Sequence, residues 1–187
     1  MANPTVLVPL AQGCEELEAI TIIDLLRRAG ITVVSAGLDA QPVKASRGTV
    51  LVPDTTLDEI LNQDFDMIVL PGGQPGADHL RDDPRIQHKL KQQANAGKYV
   101  AAICAAPRAL AQAGLLDGHR VTSFPGSLEG SPAENVQYVN DPVVIDGRIV
   151  TSRGPGTAMD FALALIELLL GKEVRDKVEK PLQRPAA

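Results

Sequence analysis

The sequence predicts an α/β fold in which a mostly parallel sheet lies between two layers of helices, and three observations predict it. Short β-rich runs alternate with helical patterns along most of the chain, the order that builds parallel strands through helical crossovers. The runs are dense in Val, Ile, Leu and Ala, as strands buried on both faces must be. Aromatics are scarce, with no Trp, two Tyr and three Phe, so the core is aliphatic.

Each element follows in order. Residues 5–10 read as a strand, 15–29 as a helix stopped by Gly30, and 31–36 as a second strand, together a βαβ unit. Residues 43–45 and 50–52, separated by Ser46-Arg47-Gly48-Thr49, form a small antiparallel hairpin. Residues 66–70 make a buried strand that ends in Pro71-Gly72-Gly73, followed by a helix at 84–96, a strand at 99–103 and a helix at 107–113. A strand at 120–123 comes next; 143–145 and 149–152 pair around the Asp146-Gly147 turn, and 156–170 is an apolar helix. With 187 residues, no internal repeat and no linker, one domain over 1–187 is expected. The tail 181–187 is expected to be mobile from 182 onward, or to pack on a neighbouring chain.

Composition removes several classes of function. The net charge of −5 is spread along the chain with no basic run, so nucleic acid is not an expected partner. No apolar stretch approaches a membrane span, and MANPTVLVPL has neither the basic start nor the cleavage site of a leader, so a cytoplasmic protein without a membrane partner is expected. His79, His88 and His119 lack metal-ligand spacing, and Gly154-Pro155-Gly156-Thr157 lacks the third glycine of a dinucleotide fingerprint. No metal and no cofactor are expected.

In an open parallel sheet, functional groups collect beyond the carboxyl ends of the strands. There the chain places Cys14-Glu15-Glu16-Leu17-Glu18, then Pro71-Gly72-Gly73, then Cys104-Ala105-Ala106-Pro107, then Arg153-Gly154-Pro155-Gly156. Cys104 ends an apolar strand, and Pro107 favours the first turn of a helix, so a tight strand-to-helix turn lifts the thiol out of the sheet. The N–H groups of Ala105 and Ala106 and the field of the helix N-terminus are expected to favour thiolate there. A buried structural cysteine is the alternative that local sequence leaves open. Glu15, Glu16 and Glu18 all suit the start of a helix; Glu15 and Glu18 share a face, and Glu16 points elsewhere. A carboxyl brought next to Cys104 in a dry site would tend to keep a proton.

Together these segments resemble the ThiJ/PfpI superfamily, in particular the branch of the Parkinson-disease-associated protein deglycase and its bacterial relatives. The resemblance rests on five blocks in order: residues 11–18, Arg27-Arg28-Ala29-Gly30, Val69-Leu70-Pro71-Gly72-Gly73, residues 101–107, and residues 151–157. It implies a flavodoxin-like three-layer α/β/α sandwich that forms a homodimer, with Cys104 as the reactive cysteine and Glu18 as its protonated partner. It further implies that the N–H groups of Gly73 and Ala105 bind an oxyanion, and that Arg28 and Arg47 lie near the site at a dimer interface. Phe124 stands where the branch often has a histidine, so no Cys–His pair is evident, and Cys14 replaces a residue that is usually small and unreactive.

The function the resemblance implies is stress protection against reactive 2-oxoaldehydes, as a glutathione-independent glyoxalase or a deglycase of glycated amines and thiols. Cys104 would form a hemithioacetal and Glu18 would move the proton. The alternative is an oxidative-stress sensor or chaperone in which Cys104 becomes a sulfinic acid without turnover. A third arrangement, a reversible Cys14–Cys104 disulfide, stays open at this stage.

Overall fold

The computed structural model describes residues 3–185. The chain opens with β1 (Thr5–Leu10), α1 (Glu16–Arg28) and β2 (Thr32–Gly37). It continues through β3 (Val43–Lys44), β4 (Val50–Leu51), β5 (Thr55–Thr56), α2 (Leu57–Ile60) and β6 (Met67–Leu70). Next come α3 (Gly76–Asp82), α4 (Pro84–Asn95), β7 (Tyr99–Ile103) and α5 (Pro107–Gln112). The last third holds β8 (Arg120–Val121), β9 (Gln137–Tyr138), β10 (Val143–Asp146) and β11 (Ile149–Ser152). A 3-10 turn at Pro155–Thr157 leads into α6 (Ala158–Leu170) and α7 (Lys172–Glu179).

The main sheet has seven strands in the order β10-β11-β7-β6-β1-β2-β5. All its pairings are parallel except β10–β11, which is antiparallel with Val143 opposite Ser152. The hairpin β3–β4 stands apart, with Val43 opposite Leu51. Alternation along each central strand divides the core in two. Val6, Val8, Met67, Val69, Ala101 and Ile103 face Ile22 and Leu26 of α1 and Phe161 and Leu165 of α6. Leu7, Ile68, Leu70, Val100 and Ala102 face Leu90 of α4 and Leu110 of α5. Both faces are covered, which is why the inner stretches of these strands, 6–10, 67–70 and 100–103, carry no polar residue.

The structure differs from the sequence reading in several places, each for a physical reason. α3 and α7 were not expected. α3 begins at a glycine, and α7 buries only Val178, held on its polar faces by the i,i+4 pairs Lys172–Asp176, Arg175–Glu179 and Lys177–Glu173. The strand expected at 120–123 stops at Val121, because Thr122 gives its N–H to the Thr151 hydroxyl. The helix expected from 156 starts at Ala158, behind the 3-10 turn. In the expected tail, Arg184 bridges Asp160 and Glu179 of the same chain, so that part packs on α6 and α7; residues 186–187 lie outside the described residues. Among the described residues no helix is long and apolar enough to cross a membrane.

Sheet order decides where the site lies. Strand order reverses at β1, which has β2 on one side and β6 on the other. The loops leaving β1, β6, β7 and β11 are therefore brought side by side at one sheet edge.

Candidate functional site

Two of these loops interlock through backbone alone. The N–H of Glu15 donates to Gly72 O at 2.9 Å, and the N–H of Gly76 to Gly13 O at 3.3 Å. A Cβ at Gly73, where φ is +90°, would lie 2.3 Å from Glu15 N, and one at Gly76 would lie 2.5 Å from Cys14 N. Only glycine permits this approach. It seals Cys14 completely, and burial together with the Glu16 and Glu15 charges pushes that thiol up to about 12.

Cys104 follows β7 with φ of 63°, in the left-handed region that residues with a side chain seldom adopt. Its N–H donates to Ser152 O at 2.9 Å, and its carbonyl accepts from Phe124 N at 2.8 Å and Ser127 Oγ at 3.3 Å. This clamp from both sides holds the turn. The side chain opens on a cavity of about 530 Å³ whose wall includes Glu15, Arg47, Gln74, Arg108, Phe124 and Pro155.

Glu18, in the first turn of α1, lies beside Cys104 with no exposed surface. Its Oε2 accepts the Gly72 N–H at 2.8 Å and faces the Cys104 side chain across the space that a Gly72 side chain would fill, and Oε1 has no hydrogen-bond partner among the described residues. Burial raises the carboxyl to about 7; the Gly72 and Cys104 hydrogen bonds pull it down, and the Glu15 charge pushes it up.

The thiol departs from the sequence reading. α5 has only six residues, and Ala106 N–H turns back to Ile103 O at 3.0 Å, so neither a helix field nor that donor serves the sulfur. The donors are instead the N–H groups of Gly73 and Ala105. They are outweighed by burial and by the Glu18 carboxylate, which together push the thiol up to about 12. The two groups thus share one negative charge above about pH 7, and a proton on Glu18 with the charge on sulfur is the arrangement that would make the sulfur nucleophilic.

The remaining predicted residues divide. Glu15 and Arg47 line the cavity, with the Arg47 guanidinium in no ion pair among the described residues. Ser46 Oγ sits 2.9 Å from Glu15 Oε2 and 3.1 Å from Glu16 Oε2. Desolvation pushes Glu16 up, but its own N–H, those of Arg47 and Thr49, and the Ser46 hydroxyl outweigh it and hold the carboxyl at about 2. Glu16 therefore ties the hairpin turn to α1. Phe124 lies over the thiol, half exposed. Arg28 is not brought to this cavity: it closes the other end of α1, paired with Asp24 at 2.6 Å.

Two site residues, Arg108 and Ser127, escaped the sequence reading. Arg108, in the first turn of α5, donates to Asp78 Oδ1 at 2.7 Å and to Ser127 O at 3.2 Å. Ser127 supports the Cys104 carbonyl, and Gly154 leaves space above the sulfur. Among the described residues no three His, Cys, Asp or Glu side chains gather as metal ligands.

Comparison with known proteins finds relatives over nearly the whole chain and structures of the same fold. The chain is 44% identical over 182 residues to Protein dj-1beta of Drosophila melanogaster, covering 96% of this chain and 97% of that protein. The crystal structure of Drosophila melanogaster DJ-1beta superposes with a TM-score of 0.93 at 43% identity, over 99% of this chain and 100% of that one. Identity to the glutathione-independent glyoxalase DJR-1.2 of Caenorhabditis elegans is 40% over 171 residues, 91% of each chain. Identity to Protein DJ-1 homolog A of Arabidopsis thaliana is 46% over 180 residues, where this chain covers 95% of its own length and spans 46% of that protein. The sequence profile of the DJ-1/PfpI family matches residues 4–168, and the chain belongs to that family.

Proposed function

We propose that the chain is a cysteine-dependent enzyme of stress protection that converts reactive 2-oxoaldehydes to 2-hydroxy acids without glutathione. The observation that carries this reading is the Glu18 carboxyl, fully buried, set against the Cys104 side chain and raised to about 7, where it can both give and take a proton near neutrality. A relative named as a glutathione-independent glyoxalase supports the same chemistry.

For methylglyoxal the steps balance without a cofactor. The Cys104 thiolate adds to the aldehyde carbon; a carbon–sulfur bond forms and the carbonyl pair becomes an alkoxide, which takes the Glu18 proton to give a hemithioacetal. The N–H groups of Gly73 and Ala105 are suited to hold the alkoxide. Glu18 then removes the proton from that carbon and returns one to the adjacent carbon, while the hemithioacetal hydroxyl proton passes to the former ketone oxygen, leaving the thioester of a 2-hydroxy acid. Water cleaves it to lactate and restores the thiol. Deglycation of amines and thiols would use the same nucleophile on an early adduct.

The test is lactate formation from methylglyoxal by purified protein, beside Cys104→Ser and Glu18→Gln. Loss of activity in both variants is expected; a wild-type rate in either sinks the mechanism.

A second reading, a sensor in which Cys104 is oxidised to sulfinic acid, draws on the same groups. Two N–H donors and a neutral carboxyl around the sulfur would hydrogen-bond a sulfinate. Intact mass after graded peroxide should show two added oxygens on Cys104 alone; indiscriminate oxidation would remove this reading.

A homodimer is proposed to cover the apolar surface beside the site, formed by Leu17 and Ile20 of α1 and Val50 and Val52 of the hairpin, all exposed in the single chain. Light scattering at micromolar concentration decides it, with a monomeric mass as the refuting result.

A further inference from the structure

The chain has five aromatic side chains. Phe65 is 2% exposed and Phe161 not at all, and Tyr99 lies under the Arg148 guanidinium, 4.3 Å from the ring centre. The other two, Phe124 and Tyr138, are 51% and 47% exposed. Both flank the route to Cys104. Phe124 is on the wall of the thiol cavity. Tyr138 is on the wall of a second cavity of about 420 Å³, with Leu128, Ala133 and Val136. Pro125 and Gly126 belong to both walls, so the two cavities adjoin at this segment and would together make a trough between the thiol and Tyr138.

The Tyr138 ring is held by its hydroxyl, and Phe124 by its backbone. The Tyr138 hydroxyl donates to Ser123 O at 3.2 Å, and the Phe124 N–H donates to Cys104 O at 2.8 Å. Anchored aromatic surface facing an open trough lowers the ordering cost of a ligand that stacks on it. Cavities of roughly 300–1,000 Å³ suit ligands of drug size, and a three-carbon aldehyde fills a small part of this one. Glu129 stands on the wall of the second cavity and disfavours an anionic tail there.

We propose that this trough is a subsite for the unreactive end of the substrate, and that the end it takes is a neutral aryl ring. The chain then prefers aryl-substituted 2-oxoaldehydes to methylglyoxal. This rests on the reading of Cys104 as the nucleophile toward 2-oxoaldehydes. The carbonyl pair meets Cys104 while the ring lies along Phe124 and Pro125 toward Tyr138.

The test compares kcat/KM for phenylglyoxal, read as mandelate, with that for methylglyoxal, read as lactate. Wild type, Tyr138→Ala and Tyr138→Phe are measured together; Arg47 and Arg108 are present in all three, so reaction of the aldehyde with guanidinium is common to them. The wild type should favour the aryl substrate by about tenfold or more. The aryl-to-methyl ratio should fall about fivefold or more in Tyr138→Ala and persist in Tyr138→Phe. A wild type active on methylglyoxal without aryl preference overturns the subsite and leaves the Cys104 chemistry standing, as does a ratio that Tyr138→Ala does not move. A binding arm stands apart from turnover: acetophenone titrated into Cys104→Ala should shift the amide signals of Val136 and Tyr138. Unmoved signals there overturn the proposal even if no oxoaldehyde is turned over.

Discussion

Gly72 and Glu18 form a single device: the Gly72 N–H donates to Glu18 Oε2 at 2.8 Å, and the space where a Gly72 Cβ would sit lies 2.8 Å from that same oxygen and 2.6 Å from Cys104 Cβ. The missing side chain is what allows carboxyl and thiol to meet. Gly72→Ala should therefore force the pair apart and destabilise the fold by about 1–3 kcal/mol. Gly154→Ala is the contrasting case. Its Cβ would lie 3.9 Å from Cys104 Sγ and 3.6 Å from Phe124, at ordinary contact distances, so the fold should hold while access to the sulfur narrows. Urea midpoints together with iodoacetamide alkylation rates distinguish the two; equal stability losses would contradict the packing argument.

The pH dependence of stability follows from Glu18. Its folded pKa, about 7, lies above its ordinary value of 4.5, so between these values the folded state binds the extra proton. The stability this group contributes is complete below pH 4.5 and is lost as pH rises through 7, a cost of about 3 kcal/mol at about pH 8. Glu18→Gln removes the ionisation. It should exceed the wild type in stability by about 2–3 kcal/mol at about pH 8 and converge with it at about pH 4.5, as read from denaturant midpoints.

Thiol reactivity tests the shared charge directly. In the wild type, alkylation of Cys104 should rise with pH in two steps, the first through about 7 as the pair loses its first proton and the second approaching 12. In Glu18→Gln a single step should remain. A one-step wild-type profile would mean that the two groups titrate independently.

Arg108 holds the cover of the site in place. Its guanidinium links Asp78 of α3 to the carbonyl of Ser127, whose hydroxyl supports the Cys104 carbonyl. Arg108→Met should speed amide hydrogen exchange at Phe124 and Ser127 by about tenfold and leave exchange in β6 and β7 unchanged.

The sequence made the turn at Cys104 legible, since Ile103-Cys104-Ala105-Ala106-Pro107 joins an apolar strand to a proline-led helix with only small residues between. Sheet and helix layers were legible for the same reason: apolar runs with both faces buried leave few alternatives. The choice among Glu15, Glu16 and Glu18 was not legible from the residues, because all three favour a helix start; family resemblance selected Glu18, and burial separates it in the structure. The resting charge of Cys104 was misread. Sequence displays the donors after a strand but hides desolvation and the neighbouring carboxylate, which dominate. Arg28 was assigned to the site by resemblance, yet within one chain a helix of thirteen residues stands between it and the cavity edge. Arg108, with partners on α3 and on the loop after β8, depends on contacts that only the folded chain assembles.

The left-handed backbone at Cys104 bears on how inactive forms of the protein compare. Alanine there keeps a Cβ and with it the steric strain, whereas glycine relieves the strain at the cost of a floppier unfolded chain. Cys104→Gly should thus match or exceed Cys104→Ala in stability, the reverse of the usual order for this pair of replacements. The fold spends some of its stability to present sulfur at this position, and a lineage released from the need for a thiol would be free to drift toward glycine.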